Sequence, residues 1–284
     1  MAHDNHHFVP AFLLREWEAG ADKKLTSFRW SRGAVVESRF KAKSVAKQRH
    51  LYSTSTDEGR PDNKLERDFM GPVVDEPAAI AHRVMLTHGI DTLTEGQRRD
   101  WARFLVCQMM RVPKMVAHVK LRGRDILMRG DEPVAADALL PGEPQVSLAN
   151  WLLEHKPTLF DDLGIHTLPY IVQSKLLNGV FLGATWGIRQ LNWAKHNYVI
   201  SDTPLVYEGQ MNSDFLFALP LTPTILFVAY SNDAVTGKNL DEASHNKLVV
   251  TMNRTQADQA DTFIFATDNL QRALVARYLR KPTA

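Results

Sequence analysis

Residues 94–112 place apolar side chains every three or four positions, the spacing of one face of an α-helix. Thr94 is followed three residues later by Gln97, a pattern in which two side chains satisfy free backbone N–H groups at a helix start. Pro113 disfavours helical geometry in the residue before it, so we expect the helix to end near Val112. This helix is the strongest local prediction in the chain.

Two polar residues interrupt the apolar face of this helix. At about 100° per residue, Gln108 and Arg111 share that face with Trp101, Phe104 and Leu105. A charge on a face that packs into the core needs a partner, because an unpaired buried charge is costly. The pattern therefore predicts a polar cluster around Arg111.

Other elements precede the helix. Residues 25–30 and 35–40 read as two strands joined through a turn that contains Gly33, which predicts a β-hairpin. Residues 63–86 have a helical pattern that is interrupted by two proline steps, Gly71-Pro72 and Glu76-Pro77. The interruptions predict two helices or one kinked helix in place of a straight rod.

The second half of the chain changes to alternating and short apolar runs. The predicted strands are residues 186–193, 197–201, 215–219, 225–230 and 263–266, and the predicted helices are residues 241–252 and 269–280. A helical N-terminal and middle part with a small hairpin, followed by a mainly antiparallel C-terminal sheet, predicts an α+β fold. We expect one domain over residues 1–284, with the proline-rich residues 131–148 as a surface loop or lid.

Composition restricts the class of protein. The chain has 284 residues, of which 44% are hydrophobic and 23% charged, as in ordinary soluble proteins. The single Cys107 excludes an internal disulfide framework and suits a reducing cytosol. No signal-peptide pattern opens the sequence, and no apolar run is long enough to cross a bilayer. We therefore expect a cytoplasmic protein with no membrane contact.

Basic residues are unevenly distributed, although the net charge is only +2. Residues 23–49 contain nine basic residues against Glu37 alone, and residues 98–129 contain nine against Asp100 and Asp125. Such blocks can track a phosphate backbone, and they also occur as solvated faces balanced by acidic neighbours. Nucleic acid or a nucleotide is one candidate partner.

An ordered set of short motifs points to a family. The motifs are His7-Phe8-Val9-Pro10 with Trp17, Leu51-Tyr52, Leu65-Glu66, Gln108 with Arg111 and Pro113, Ser201-Asp202-Thr203-Pro204, Pro220-Leu221-Thr222-Pro223 and Asn253. Together they resemble the bacterial family catalogued as domain of unknown function 4238. The resemblance implies a shared fold and no known reaction. His6 departs from it where a Gln is common, and Trp17 where a Phe is common.

His7 and Asp202 are candidate catalytic residues. His7 can serve as a general base or metal ligand, or it can be a half-buried turn histidine. Adjacent residues of an extended stretch point to opposite sides, so only one of His6 and His7 reaches a given site, and the flanking Phe8 favours His7. Asp202 follows an apolar strand, a common place for a catalytic or metal-binding carboxylate and also for an Asp that caps a turn.

Arg111 and Gln108 are candidate substrate-binding residues. Arg111 either clamps a phosphate or carboxylate or pairs with a buried carboxylate to fix the helix, and Asp202 is the expected partner. Glu66 is the third catalytic candidate. Ten residues of straight helix would hold Glu66 and Glu76 about 15 Å apart, so Glu76 is interpreted as structural.

These residues favour a hydrolase that acts on a phosphodiester or nucleotide. In this hypothesis His7 transfers protons, Glu66 and Asp202 hold a divalent metal or orient water, and Arg111 binds phosphate. Residues 6–10 are also similar to the His-His-apolar-apolar-Pro signature of some HNH nucleases, but no Asn and His follow at helical spacing. The sequence lacks the common motifs of nucleoside-triphosphate, nicotinamide, serine-hydrolase and zinc-finger sites. The alternative is a non-catalytic binding module whose polar cluster is structural.

Overall fold

The computed structural model describes residues 4–56, 58–130, 132–135, 145–191, 196–231 and 245–281. Helices fill the N-terminal and middle parts, and antiparallel sheets include one in the C-terminal part. The predicted α+β class is confirmed. Most of the predicted loop or lid of residues 131–148 lies outside the described residues.

The N-terminal part is built from short strands around one small helix. Its elements are β1 Asn5–His7, α1 Ala11–Leu14, β2 Leu25–Ser31, β3 Ala34–Phe40, β4 Lys47–Arg49, β5 Thr54–Ser55 and β6 Pro61–Asp62. The predicted hairpin is β2–β3, and Arg32 and Gly33 both have positive φ, 49° and 82°. Such a two-residue turn matches the natural twist of the strands.

The middle part is helical. A π-helical segment, Leu65–Asp75, continues into α2 Glu76–His88, and α3 Glu95–Met110 and α4 Pro113–Arg129 follow. Beyond the residues that are not described come α5 Leu148–His155, α6 Pro157–Val172 and α7 Lys175–Gly183. The reciprocal cap of Thr94 and Gln97 is present, and α3 ends two residues earlier than predicted.

The C-terminal part holds β7 Thr185–Gln190, β8 Ile200–Ser201, β9 Val206–Gly209, β10 Phe215–Thr222, β11 Ile225–Tyr230, α8 His245–Gln259, β12 Ile264–Ala266 and α9 Arg272–Tyr278. One sheet has the order β7-β11-β10-β9, a second β3-β2-β12-β8, and β1-β4 and β5-β6 form two-stranded ladders. The N-terminal hairpin is thus half of a sheet that C-terminal strands complete.

The sheet β7-β11-β10-β9 is covered on both faces, which explains the continuous apolar sequence of β10. Phe217 and Phe227 belong to the same core cluster as α3, and Phe227 contacts Trp101 edge to face. Ala218 and Val228 lie on the opposite face with Val249 of α8. Strands that are buried on both faces lose the polar alternation of a half-exposed sheet.

Helices α4 and α6 cross at two glycines, Gly123 and Gly164. A Cβ atom added to Gly164 would lie 2.3 Å from the carbonyl oxygen of Val119, and one added to Gly123 would lie 2.7 Å from the backbone nitrogen of Gly164. Only a residue without a side chain permits two helix backbones to approach so closely.

Among the helices of the described residues, none combines the length and apolar character needed to cross a membrane.

Candidate active site

Arg111 follows the last residue of α3 and is fully buried. Its Nη1 and Nη2 atoms donate to the two carboxylate oxygens of Asp75 at 2.7 and 3.0 Å, a bidentate pair. The Asp75 side chain is 22% exposed and the Arg111 side chain is 0% exposed, so only the aspartate of the pair reaches the solvent. The predicted polar cluster around Arg111 therefore exists, and Asp75 is its anionic partner.

The π-helical segment explains why Asp75 is available. The backbone N–H of Glu76 donates to the carbonyl of Gly71, five residues back. In this winding Glu66 and Asp75, nine residues apart, are separated by about two turns and share one side, whereas α-helical winding would place them on opposite sides. Pro77 cannot donate to the Val73 carbonyl, which instead accepts from Arg103 Nη1 at 3.1 Å.

His7 is brought to this cluster by strand β1, in which it lies opposite Lys47 of β4. The hydroxyl of the buried Tyr52 donates to the carbonyl of His7 at 2.7 Å. Gln108 Nε2 donates to the carbonyl of Phe8 at 2.8 Å. The backbone of residues 7 and 8 is therefore held by a tyrosine from one element and by an amide from α3.

His6 has a structural environment, which agrees with the choice of His7 as the candidate. His6 is fully buried, its ring stacks on Tyr52 with the ring centroids 4.7 Å apart, and its Nδ1 accepts from the Tyr52 backbone N–H at 3.2 Å. Because Nδ1 is an acceptor, Nε2 carries the proton and donates to Asn63 Oδ1 at 3.2 Å. Both ring nitrogens of His6 are engaged inside the protein.

The surroundings of the cluster lower the pKa of His7 and raise the pKa of Glu66. Burial, helped by the charges of Arg111 and Lys47, lowers the pKa of His7 to about 4, although Asp75 and the Val9 backbone oppose the shift. Burial raises the pKa of Glu66 to about 7, with Arg111 lowering it and Asp75 raising it. At neutral pH His7 is therefore a neutral imidazole, and Glu66 is divided between acid and carboxylate.

Several buried polar atoms of the cluster lack a hydrogen bond of normal geometry. Within the described part of the chain, these atoms include His7 Nδ1, Glu66 Oε2, Gln108 Oε1 and Arg111 Nε. Each belongs to a residue that the sequence singled out. Native proteins leave few buried polar atoms unpaired, and those that remain often mark a functional site or ordered water.

Asp202 lies elsewhere, and the prediction that it pairs with Arg111 is wrong. It follows β8, and its carboxylate accepts the backbone N–H groups of Asp261, Thr262 and Phe263 at 2.9, 2.7 and 2.9 Å. Burial raises the pKa of Asp202 to about 6, and the three N–H groups oppose this shift. These N–H groups before β12 bind the carboxylate, whereas the Nη1 and Nη2 atoms of Arg111 are bound to Asp75.

The structure brings together His7, Glu66, Gln108 and Arg111 and leaves Asp202 in a separate turn. Among the described residues, no three His, Cys, Asp or Glu side chains are grouped so that they could hold a metal ion. The sequence pattern did not indicate Asp75, and it suggested the exposed Glu76 as the carboxylate to compare with Glu66. The available signal was the pair of prolines, Pro72 and Pro77, which cannot donate the backbone hydrogen bonds of a regular α-helix.

These features define an α+β protein with a half-buried acid–base cluster next to a buried arginine–aspartate pair. Residues 5–136 match the model of a family described as "Protein of unknown function (DUF4238)", so the resemblance is confirmed over that part of the chain. The match includes His7, Glu66, Gln108 and Arg111 and stops before Asp202. No curated protein and no solved structure matches the chain.

A pH series of stability tests the shifted protonation of Glu66. The folded protein holds this proton up to about pH 7, whereas the unfolded chain releases it near pH 4.5. Stability is therefore lost as pH rises between these values, and Glu66→Gln removes that loss. From pH 5 to pH 8 the variant should gain up to about 3 kcal/mol relative to wild type, at about 1.4 kcal/mol per pKa unit.

Denaturant unfolding at pH 5, 6, 7 and 8 measures this difference. The exposed Glu76→Gln is the matched control and should show a constant difference from wild type. The lowered pKa of His7 has the opposite effect on stability, because the free energy of unfolding falls as pH decreases from 6.5 to about 4. Wild type and both variants share this contribution, so it cancels in the comparison. A difference for Glu66→Gln that does not change with pH would mean that Glu66 titrates normally.

Proposed function

We propose that this protein is a hydrolase that acts on a phosphodiester or nucleotide, with Glu66 as general acid–base and His7 as its partner. The supporting observation is that His7, Glu66, Gln108 and Arg111 all carry buried polar atoms without a partner among the described residues, and that the charges of Arg111 and Asp75 act on both His7 and Glu66, whose pKa is about 7. A general base is most effective when its pKa lies near the working pH. Asp75 and Arg111 are bound to each other in an ion pair.

In the proposed reaction the Glu66 carboxylate accepts a proton from water as the water oxygen bonds to phosphorus. The P–O bond to the leaving oxygen breaks, and this oxygen takes a proton from solvent. His7 is neutral at neutral pH, so it orients the water through an unprotonated or protonated ring nitrogen and does not act as a strong acid. The Arg111–Asp75 pair supplies a fixed local dipole and does not touch the substrate.

We assign the binding of the negatively charged phosphate to cations other than Arg111. Lys47 lies beside His7 in the ladder, is exposed, and lines a cleft of about 290 Å³ that also includes Phe8. Arg29 and three serines, Ser27, Ser38 and Ser44, complete its polar wall. Lysine and arginine with neighbouring hydroxyl groups are the usual ligands of phosphate.

The second basic block contributes less to this proposal. Arg122 faces Asp125 at 4.0 Å and Arg124 faces Asp161 at 3.4 Å, so acidic neighbours balance them. Of the two basic stretches, the one that contains Lys47 fits a nucleotide or nucleic acid better, because it adjoins the acid–base cluster.

Hydrolysis of bis(p-nitrophenyl) phosphate and of a single-stranded oligonucleotide tests the proposal. Glu66→Gln should lower kcat/KM by about 10²- to 10⁴-fold, the usual contribution of a general acid–base, while Glu76→Gln should leave it unchanged. The wild-type rate should rise with pH through an apparent pKa of about 7 as Glu66 loses its proton. Absence of turnover by the wild type, or equal rates for the two variants, would contradict a catalytic Glu66.

A non-catalytic binding or interaction module is the second candidate. Its support is the full burial of Arg111 and its bidentate contact with Asp75, an arrangement that fixes α3 to the π-helical segment. In this case the polar cluster specifies the packing of these elements, and His7 and Glu66 are its partly solvated margin.

A further inference from the structure

The floor of the cleft that Lys47 lines is one face of the hairpin β2–β3. Three cross-strand pairs lie on this face: Leu25 with Phe40, Ser27 with Ser38, and Arg29 with Val36. Successive pairs on one face of a sheet are about 7 Å apart along the strands. Phe40, Ser38 and Arg29 all line the cleft, and all three are exposed. Along the floor, a phenyl ring is therefore followed by a hydroxyl group and then by a guanidinium group.

The charge of this cleft is positive. Within the described residues, its lining contains two cations, Arg29 and Lys47, and no Asp or Glu. Lys47 belongs to the second wall, residues 44–47, whose backbone has a positive φ of 49° at Ala46. The carbonyl of Ala46 accepts the backbone N–H of Phe8 at 3.0 Å, which holds this wall in place. Two exposed cations in a cleft favour an anionic ligand.

An anion alone does not explain the apolar side of the cleft. The ring of Phe40 is 42% exposed. Further apolar lining comes from Phe8, Val45, Ala46 and Phe263. A nucleotide combines both properties, because its phosphate is anionic and its planar base stacks on aromatic side chains. The order of the groups along the floor, a phenyl ring, a hydroxyl group and a guanidinium group, matches the order of base, ribose and phosphate.

We infer that the cleft binds one nucleoside monophosphate, with the base against Phe40, the ribose beside Ser38 and the phosphate between Arg29 and Lys47. The inference rests on the proposed function, because it names the substrate class of the same site, and Lys47 lies opposite His7 in the ladder. The cleft volume of about 290 Å³ is at the lower end of the range for small-molecule sites, which favours a single nucleotide over a longer strand.

Isothermal titration calorimetry with three ligands tests the inference: AMP, ribose 5-phosphate and adenosine. The protein carries Glu66→Gln, which removes the proposed base so that AMP is not consumed, and Glu66 does not line the cleft. AMP should bind with one equivalent. Ribose 5-phosphate lacks the base and adenosine lacks the phosphate, so each should bind at least about fivefold more weakly than AMP.

Two variants in the same background assign the ends of the nucleotide. Phe40→Ala should weaken AMP binding about 5- to 100-fold, the usual effect of losing a stacked base, and should leave ribose 5-phosphate binding unchanged. Arg29→Gln should weaken the binding of AMP and of ribose 5-phosphate about tenfold and should leave adenosine binding unchanged. Tyr170→Ala and Lys43→Gln are the matched controls, because both side chains are exposed outside the cleft lining.

The outcomes separate this inference from the proposed hydrolysis. Equal affinities for AMP and ribose 5-phosphate, or equal losses for Phe40→Ala and Tyr170→Ala, would overturn the nucleotide site even if wild type hydrolyses phosphoesters. AMP binding that depends on Phe40, in a protein whose wild type shows no turnover, would support the nucleotide site and contradict hydrolysis alone. A dinucleotide that binds at least tenfold more tightly than AMP would overturn the restriction to a single nucleotide.

Discussion

Replacing Arg111 with Met is expected to lower the free energy of unfolding by about 3–5 kcal/mol, the usual cost of removing one partner of a buried ion pair. The loss arises because Asp75 retains its charge and only 22% of its side-chain exposure. Both bonds to its carboxylate disappear in the variant. Denaturant unfolding monitored by tryptophan fluorescence measures the change, and Trp101 on the same helix is a buried reporter.

A double-mutant cycle identifies the partner of Arg111. Combining Arg111→Met with Asp75→Asn removes both charges and should restore most of the lost stability. Combining Arg111→Met with Asp202→Asn should give additive losses, because Asp202 is bound to the backbone before β12. Rescue by Asp202→Asn, or a melting temperature unchanged by Arg111→Met alone, would contradict the pairing and would indicate that Arg111 serves an open site.

Replacing Gly164 with Ala should also destabilise the protein strongly, although alanine is the better helix former. The added Cβ would lie 2.3 Å from the Val119 carbonyl oxygen and 2.8 Å from the Lys120 Cα atom. Both are backbone atoms and cannot rotate away, so α4 and α6 must separate. Overpacking of this kind costs about 1–3 kcal/mol or more, which exceeds the gain of about 0.5–1 kcal/mol from helix propensity.

Gly179 of α7 provides the matched control for this prediction. It is a helical glycine whose added Cβ would meet no atom within 4 Å. Gly179→Ala should therefore raise stability by about 0.4–1 kcal/mol, mainly by restricting the unfolded chain. Thermal unfolding of the two variants should shift in opposite directions. A gain at Gly164 would show that the close approach of α4 and α6 does not limit the residue size, and a loss at Gly179 would show that the space beside Gly179 is not open.

Local patterns predicted much of the helical part. The cap of Thr94 and Gln97, the apolar face around Trp101 and the break at Pro113 each depend on residues a few positions apart. The hairpin of β2 and β3 likewise followed from two short apolar runs on either side of Gly33. In these cases the nearest neighbours in sequence contain the physical information, so the sequence alone was sufficient.

The errors depend on contacts between distant residues or on unusual helix geometry. Asp75 was missed because α-helical periodicity separates it from Glu66, whereas π winding places both on one side. Asp202 was assigned to Arg111 because nothing near it in sequence indicated the free N–H groups 59 to 61 residues later. Similarly, the hairpin β2–β3 gave no local sign that β12 completes its sheet.

The position of the polar cluster along the chain has a consequence for synthesis on the ribosome. His7, Glu66, Asp75, Gln108 and Arg111 all precede the strands β10 and β11 that cover the apolar face of α3. At roughly 5–20 residues per second, the nascent chain exposes that face for about 6–24 s before β11 is made. The apolar face of α3 thus has to be kept from aggregating during this time, which makes it a natural binding segment for chaperones during translation.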